Sequence, residues 1–506
     1  MMAYGRPGVY ISERLIPAPI PTTVNSTAAG ACLAKLPQGP ITVTRVTSWS
    51  EFAKLFGTYN IAYPATFGIG EFFKSGGNEL YVRRVIGANA DKAEITVTDG
   101  TNAIVTFTAI TAGSDGNNFR VKLDQVGTSD YFNLGVYRED GSNAGSIADD
   151  ILLEQYNNIL FNDKNSADYV VTVLLAESQF VSATVNETNA SAANPDTGLF
   201  ALAGGTDGDV ITNSDFSTAL EDFNLIDRTF VIFAPEVLKD LPSTGHLVQD
   251  DLIAWAEAHS GFAVLDTPAD LPVGDSSATA GSALHYAAAF AASSNAAVYY
   301  PNVYIADPKG RNSASLRKVG PAGSVAGLYL ATDADSGPFK APAGLRTSLG
   351  GATSTERRFT SDELDRLNSA AQPLNAIRQI PGAGVVVMGA RTLKQDGTAN
   401  RYVSMRRSLL YIKRELSEIT QFSLFENNDD ELWSRIRASI TAFLNQYYNQ
   451  GGLAGANDTE AFFVICDASN NTSQTIANGE VHIEVGVALE YPAEFVVINL
   501  SQKTAA

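Results

Sequence analysis

The stretch PGAGVVVMGA (Pro381–Ala390) has the glycine spacing of a loop that cradles phosphates. A dinucleotide loop needs a strand before its glycines and a helix after them, so that backbone N–H groups and the helix N-terminus face the pyrophosphate. Here a strand, VVVMGA, follows, and the glycines read as a turn entering a buried strand. TDADSGPF (Thr332–Phe339) carries the alternating oxygens of a calcium loop. The twelfth position, where a bidentate Glu belongs, is Gly344, so a polar loop is expected. GGTDGD (Gly204–Asp209) sets Asp207 near Asp209 and reads as a tight turn. The four histidines, His246, His259, His285 and His482, match no metal-ligand spacing. His259 is expected to end a helix, where imidazole suits the dipole. There is no GxSxG elbow and no Walker loop. The acid pairs Asp149–Asp150 and Asp429–Asp430 read as a solvated turn and a helix N-terminus. The expectation is therefore no catalytic site, no metal and no cofactor.

The chain around these motifs has 506 residues, too many for one ordinary core, and three domains or so are expected. Hydrophobic residues make up 45% and charged residues 18%, a globular composition rather than a disordered one. No apolar run is long enough to cross a membrane, and the N-terminus lacks a secretory pattern. Cys32 and Cys466, both in apolar surroundings, read as buried thiols. The formal net charge of −20 argues against nucleic acid as a partner. The charge is uneven: residues 89–200 hold 16 acids and 5 bases, a balance of −11. Residues 391–414 hold seven bases and one acid, Asp396, a balance of +6.

The elements alternate near the start. TAAGACLAKLP and ITVTRV read as strands. SWSEFAKLFG reads as a helix capped by Ser48 with Glu51 three residues on. A glycine-closed helix, YPATFGIGEFFKSGG, then leads to the strand LYVRRVI, an α/β pattern. From residue 89 to 200 the texture becomes Thr-, Asn-, Asp- and Gly-rich. EITVTD, AIVTFTAI, FRVKLD, YFNLGVYRED and YVVTVLL read as short strands of an inserted β-rich domain, and SATVNETNASAANPDTG as its exit loop. Helices and strands then alternate again: SDFSTALEDF, RTFVIFAPE, HLVQDDLIAWAEAHS, GFAVLD and AAVYYPNVYI. In the last 125 residues two long helices, one or two strands and a final strand are expected. The clearest helix runs from Asp429 to Tyr448, with Leu432, Trp433, Ile436, Ile440, Phe443, Leu444 and Tyr447 on one face, Asn428 as its cap and Gly451 at its end.

Both chain ends read as strands on arms. Val9, Tyr10 and Ile11 precede Pro17, Pro19 and Pro21. In polyproline II the segment Ile16–Thr22 reaches roughly 20 Å, at about 3.1 Å per residue. At the other end, Phe495, Val496, Val497 and Ile498 are apolar on both faces and follow Pro492. Such strands pair within their own subunit or add to a sheet edge in a neighbour, and the pattern alone leaves both open.

Five stretches carry a resemblance: RPGVYISE (Arg6–Glu13), VGPAGSVAGLYLATDADSGPFKAPAG (Val319–Gly344), LNAIRQIPGAGVVVMGARTL (Leu374–Leu393), Arg401–Leu444, and the two ends of Glu460–Leu500. In order and length they resemble the contractile tail sheath proteins of myovirus-type bacteriophages. The sequence departs from that pattern at Asn427–Asn428, where a proline is expected, and at Met388, where tryptophan is expected on a buried strand. The resemblance implies a multidomain α/β (α+β) fold with an N-terminal linking arm (1–25) and a middle α/β domain (26–88 and 201–360). It implies a β-rich outer insertion (89–200), an inner C-terminal sheath domain (361–490) and a C-terminal linking arm (491–506). It implies hexameric rings stacked around a tail tube, contracting without nucleotide. The arm residues Val9, Tyr10, Ile11, Phe495, Val496, Val497 and Ile498 would complete a sheet in neighbouring subunits. Further implied partners are the tube, baseplate and tail terminator proteins, with no membrane contact by this chain. The location would be the virion tail, assembled in the host bacterial cytoplasm. Arg406, Arg407, Lys413 and Arg414 become candidates for facing the tube, with intramolecular pairing to Glu415 or Glu418 as the alternative. Other readings are the sheath of a bacteriocin or secretion-type injector, which the large insertion disfavours, an α/β enzyme, and a monomeric binding module.

Overall fold

A computed structural model of the chain describes residues 28–139, 150–190, 193–312 and 315–494. It divides between Arg407 and Ser408 into two units.

The larger unit is organised by an eight-stranded sheet. Its first three strands are β1 (Ala29–Lys35), β2 (Thr44–Val46) and β3 (Leu80–Val85). The insertion supplies β4 (Glu94–Thr98), β5 (Ala103–Ala109), β6 (Phe119–Gln125), β7 (Phe132–Arg138), β8 (Ile151–Ile159), β9 (Val181–Val185) and β10 (Gly198–Ala201). The main sheet resumes with β11 (Phe230–Phe233), β12 (Phe262–Asp266) and β13 (Ala296–Tyr300). Then follow β14 (Val303–Ala306), β15 (Leu316–Val319), β16 (Ala352–Thr355), β17 (Leu374–Ile380) and β18 (Gly384–Val387). The order in the main sheet is β18-β17-β13-β12-β11-β1-β3-β2. Its six inner strands are parallel, and antiparallel β2 and β18 form the edges. Parallel strands are covered on both faces, which is why FVIF, FAVL of FAVLD, and AAVYY are unbroken apolar runs, and why all three strands are fully buried.

Helix Trp49–Phe56 is capped by Ser48 Oγ, which accepts from Glu51 N at 3.2 Å. The Glu51 carboxylate returns to Thr47 N, one residue earlier than a standard box. Helices Ala65–Lys74 and Ala322–Asp335 pack closely because glycines face the contact. A Cβ at Gly323 would lie 2.2 Å from Gly68 O, and one at Gly327 would lie 2.1 Å from Phe72 O.

The insertion leaves and returns side by side: Gly87 N donates to Asp207 O and Asp209 N to Ala88 O. Arg84, at the end of β3, donates to the carbonyls of Leu36 (3.0 Å) and Ala112 (2.8 Å), tying the stalk to the main sheet. The insertion folds as two antiparallel sheets, β4-β5-β9 and β10-β6-β7-β8, over a core that includes Phe107, Phe119, Phe132, Phe161 and Phe180. Two expectations change here. YVVTVLL is not a strand but helix Val170–Glu177, whose Val170 and Leu174, four residues apart, are the buried pair. SATV of the expected exit loop is β9, paired with β5. A short run of β-branched residues is ambiguous between strand and helix, and packing on the sheet decides it.

The division of the chain also differs from the expected boundary at 361, because β17 and β18 belong to the main sheet. The glycines of PGAGVVVMGA form the hairpin between these two strands, with Ala383 N donating to Ile380 O. Met388 lies beyond β18 and is 38% exposed, so it is not on a buried strand as expected.

The smaller unit holds most of helix Val403–Thr420, helix Asp430–Asn449, and the antiparallel pair β19 (Phe462–Ile465) and β20 (Glu484–Val487). The second helix buries the seven apolar residues expected of it. Its cap is Asp429, which accepts from Leu432 N at 2.9 Å, rather than Asn428. Asn428 instead accepts from Trp433 Nε1 and donates to Glu480 O.

Candidate assembly interface

In open α/β sheets ligands bind beyond the carboxyl ends of the strands. In this chain, side chains of the protein itself occupy those ends. After β11, Glu236 accepts from Gly320 N at 2.5 Å, and at the end of β12 Asp266 accepts from Ala322 N at 2.6 Å. Both carboxylates thus serve the N-terminus of helix Ala322–Asp335. Burial, and then the neighbouring Glu236 charge, push Asp266 up to about 8. Asp207 accepts from Ser114 N and Oγ, and Asp209 from Asn89 Nδ2. Among the described residues no group of three or more His, Cys, Asp or Glu is placed to hold a metal ion.

The smaller unit is built on Tyr411, Phe443 and Tyr447, whose rings lie 5.6–6.2 Å apart, with Tyr447 Oη bonded to Ser408 Oγ. β19 follows the short helix Asp458–Ala461 and packs on helix Asp430–Asn449. Its register with β20 runs from Phe462↔Val487 to Ile465↔Glu484. Asn471 holds the connection, accepting from His482 N at 2.7 Å and donating to His482 O at 2.9 Å. Arg437 Nη1 donates to Cys466 O at the end of β19.

Among the described residues this sheet has two strands, and β19 and β20 pair as strands only with each other. None of their residues is fully buried, and Phe463 is 49% exposed. Two strands alone are marginal in water, and open strand edges are templates for further pairing. The sequence pattern signalled a strand or two here but not that, among the described residues, the pair would have no third strand, only the bridge Leu453↔Leu489 beyond β20. The arm residues Val9, Tyr10, Ile11, Phe495, Val496, Val497 and Ile498 lie outside the described residues.

The four basic candidates separate. Arg406 donates through Nε and Nη2 to Asn295 Oδ1, at 3.1 and 2.9 Å. Arg407 is buried: Nη1 meets Asp333 Oδ1 at 2.9 Å, Nη2 meets Asp333 Oδ2, and the guanidinium lies 4.6 Å from the Tyr329 ring centre. Its charge is committed inside the fold, so the structure does not offer Arg407 to a partner. Asp333, read from sequence as part of a polar loop, is that buried counter-ion. Lys413 is exposed and Arg414 half-buried, paired with Glu418 at 2.6 Å. Burial, then the Glu418 charge, raise Glu415 to about 7, with Arg414 opposing.

Residues 395–503, which include both β19 and β20, match the phage tail sheath C-terminal domain. The chain as a whole superposes on the sheath complex, in contracted state, of an extracellular contractile injection system. The TM-score is 0.61 at 20% identity, covering 99% of each chain. This is the fold of contractile sheath proteins. The same sheath fold matches a sheath tail protein of Listeria innocua, with a TM-score of 0.62 at 15% identity over 92% of this chain and 96% of that one. Among curated proteins, the tail sheath protein of Vibrio phage KVP40 is 29% identical over 182 residues, 35% of this chain and 26% of that protein. The tail sheath protein of Salmonella phage ViI is 22% identical over 187 residues, 37% and 28% respectively. The matched stretch thus spans about a quarter of the length of these two relatives.

Proposed function

We propose that this chain is the structural subunit of a contractile phage tail sheath, a virion component that polymerises as stacked hexameric rings around a tail tube and contracts to drive it through the host envelope. The observation that carries this reading is the match of residues 395–503 to the tail sheath C-terminal domain, a segment in which β19 and β20 pair as strands only with each other among the described residues. The segments Val9–Ile11 and Phe495–Ile498, whose sequence pattern suits strands, are in this reading the additions from neighbouring copies. Backbone hydrogen bonds along the open edges supply affinity, and burial of residues such as Phe463 adds to it. The proline arm supplies reach with little entropy to lose on docking. The subunit chain is assembled in the bacterial cytoplasm, and tube, baseplate and terminator proteins are its further partners. Facing the tube falls to Lys413 and Arg414, whose pairs at a wet surface contribute roughly 0–1 kcal/mol each and release easily.

The runner-up, the sheath of another contractile injector, has its own support. The sheath complex of an extracellular contractile injection system covers 99% of this chain, and the helical sheath of the anti-feeding prophage covers 98%. The inserted domain therefore does not favour a phage particle over an injector, contrary to the expectation from sequence. An α/β enzyme has no such support.

The test is negative-stain microscopy of the intact protein and of a form lacking residues 1–22, each with and without tube protein. Rings or tubules from the intact chain that are lost on deletion are expected. Discrete monomers from both forms, even with tube protein present, would refute the reading.

A further inference from the structure

The turn after helix Val403–Thr420, QFSLFENND, holds two adjacent apolar side chains in water: Leu424 is 68% exposed and Phe425 fully exposed. The Phe425 backbone has φ +65°, a left-handed conformation that bulky residues avoid and glycine adopts freely. The turn is held there. Leu424 N donates to Gln421 O, Glu426 N to Ser423 O, and Ser423 Oγ to Thr420 O. Asn428 clamps the far side through Trp433 Nε1 and Glu480 O. Backbone strain and an exposed ring at one fixed position are features of a contact site rather than of folding. Exposed Glu426 and Asp430 flank the tip and form no ion pair among the described residues.

A complementary surface exists on the same chain. The segment beside β18, with Gly344 N donating to Val387 O and Leu349 N to Val385 O, brings Leu345 (62% exposed) and Met388 to one end of that strand. Exposed Lys340 and Arg346 accompany them and likewise form no ion pair among the described residues. Three other strongly exposed apolar residues have the wrong neighbours. Val210 adjoins Asp209, Leu225 lies between Asp222 and Asp227, and the cations beside Leu316 are already paired with Asp307, Asp270 and Glu356.

We propose that Leu424 and Phe425 of one copy dock on the Leu345–Met388 surface of a second copy, with Glu426 and Asp430 facing Lys340 and Arg346. The inference rests on the self-assembly reading and adds a second contact to it, independent of the arms. The two surfaces differ, so the contact is head-to-tail. Such contacts propagate as rings or helices instead of closing as a two-fold dimer.

Two experiments test it. Phe425→Gly removes the ring and relieves the backbone, so thermal stability should hold or rise while the polymerised fraction in sedimentation falls at least tenfold. Second, because Cys32 and Cys466 are buried, Asn427→Cys mixed with Ser348→Cys, at exposed positions that leave the docking side chains in place, should give an intermolecular disulfide in the polymer, and neither variant alone should. Parent-like polymerisation of Phe425→Gly, or no crosslink in the mixed polymer, overturns the contact and leaves the sheath reading intact. Loss of tube-templated assembly alone would assign the tip to the tube and also overturn it. Failure of the unmodified chain to polymerise with tube protein would sink both.

Discussion

Replacing Asp333 by alanine isolates what the buried Arg407–Asp333 pair does. The side chains are 4% and 1% exposed, and two parallel bonds join them. Asp333 lies in the last turn of helix Ala322–Asp335, where the dipole disfavours an acid, so the arginine is what makes the carboxylate tolerable there. Asp333→Ala leaves a guanidinium without counter-charge in a dry site. Breaking a buried pair from one side costs about 3–5 kcal/mol. The ring of Tyr329 stays beneath the cation and returns roughly 0.5–2 kcal/mol of that. The first thermal transition, followed by circular dichroism, should therefore drop by roughly 2–18 °C, at about 2–4 °C per kcal/mol. The double variant Asp333→Leu with Arg407→Met removes both charges at similar volume and should melt within about 1 kcal/mol of the parent, or above it. A single variant that melts like the parent, or a double variant worse than the single, would refute the reasoning. A consequence concerns assembly: charge reversal at Arg407 reports on folding of the larger unit, not on contact with a tube.

Two further outcomes follow from the packing and titration of the larger unit, beside the arm deletion and the Phe425→Gly experiment above. Gly327→Ala should destabilise by about 1–3 kcal/mol, read in a thermal melt, because its Cβ would meet Phe72 O at 2.1 Å and force the two helices apart. Asp266→Asn should raise the melting temperature at alkaline pH and converge with the parent near pH 4. Asp266 is raised from 3.8 to about 8, so its contribution is present below pH 4 and is lost as pH rises through 8. The amide keeps the bond from Ala322 N, and the other oxygen it replaces has no hydrogen-bond partner. A constant gap between the two proteins from pH 4 to 9 would contradict this.

Local patterns were legible where local forces decide. Apolar runs of four or five residues marked β11, β12 and β13, since a strand covered on both faces has no polar side to show. The helical face from Leu432 to Tyr447 was readable from spacing alone. By contrast, Val170–Glu177 carries strand-like residues in a helix, and Asp429 takes the cap that Asn428 was expected to provide. Both outcomes depend on neighbours distant in the chain. Asn428 is drawn away by Glu480, 52 residues on.

The sequence by itself determined that the chain alternates helices and strands around a β-rich insertion, carries no recognisable catalytic motif and resembles sheath proteins. These properties follow from composition, short-range periodicity and motif order. Only the tertiary structure decided which charges are spent and which surfaces remain. It took Arg407 out of the basic stretch by setting it against Asp333, 74 residues away. It also left β19 and β20 without strand neighbours among the described residues, and held Phe425 out into water. An ion pair or an open edge depends on where distant segments meet, and residue spacing along a chain carries little information about that.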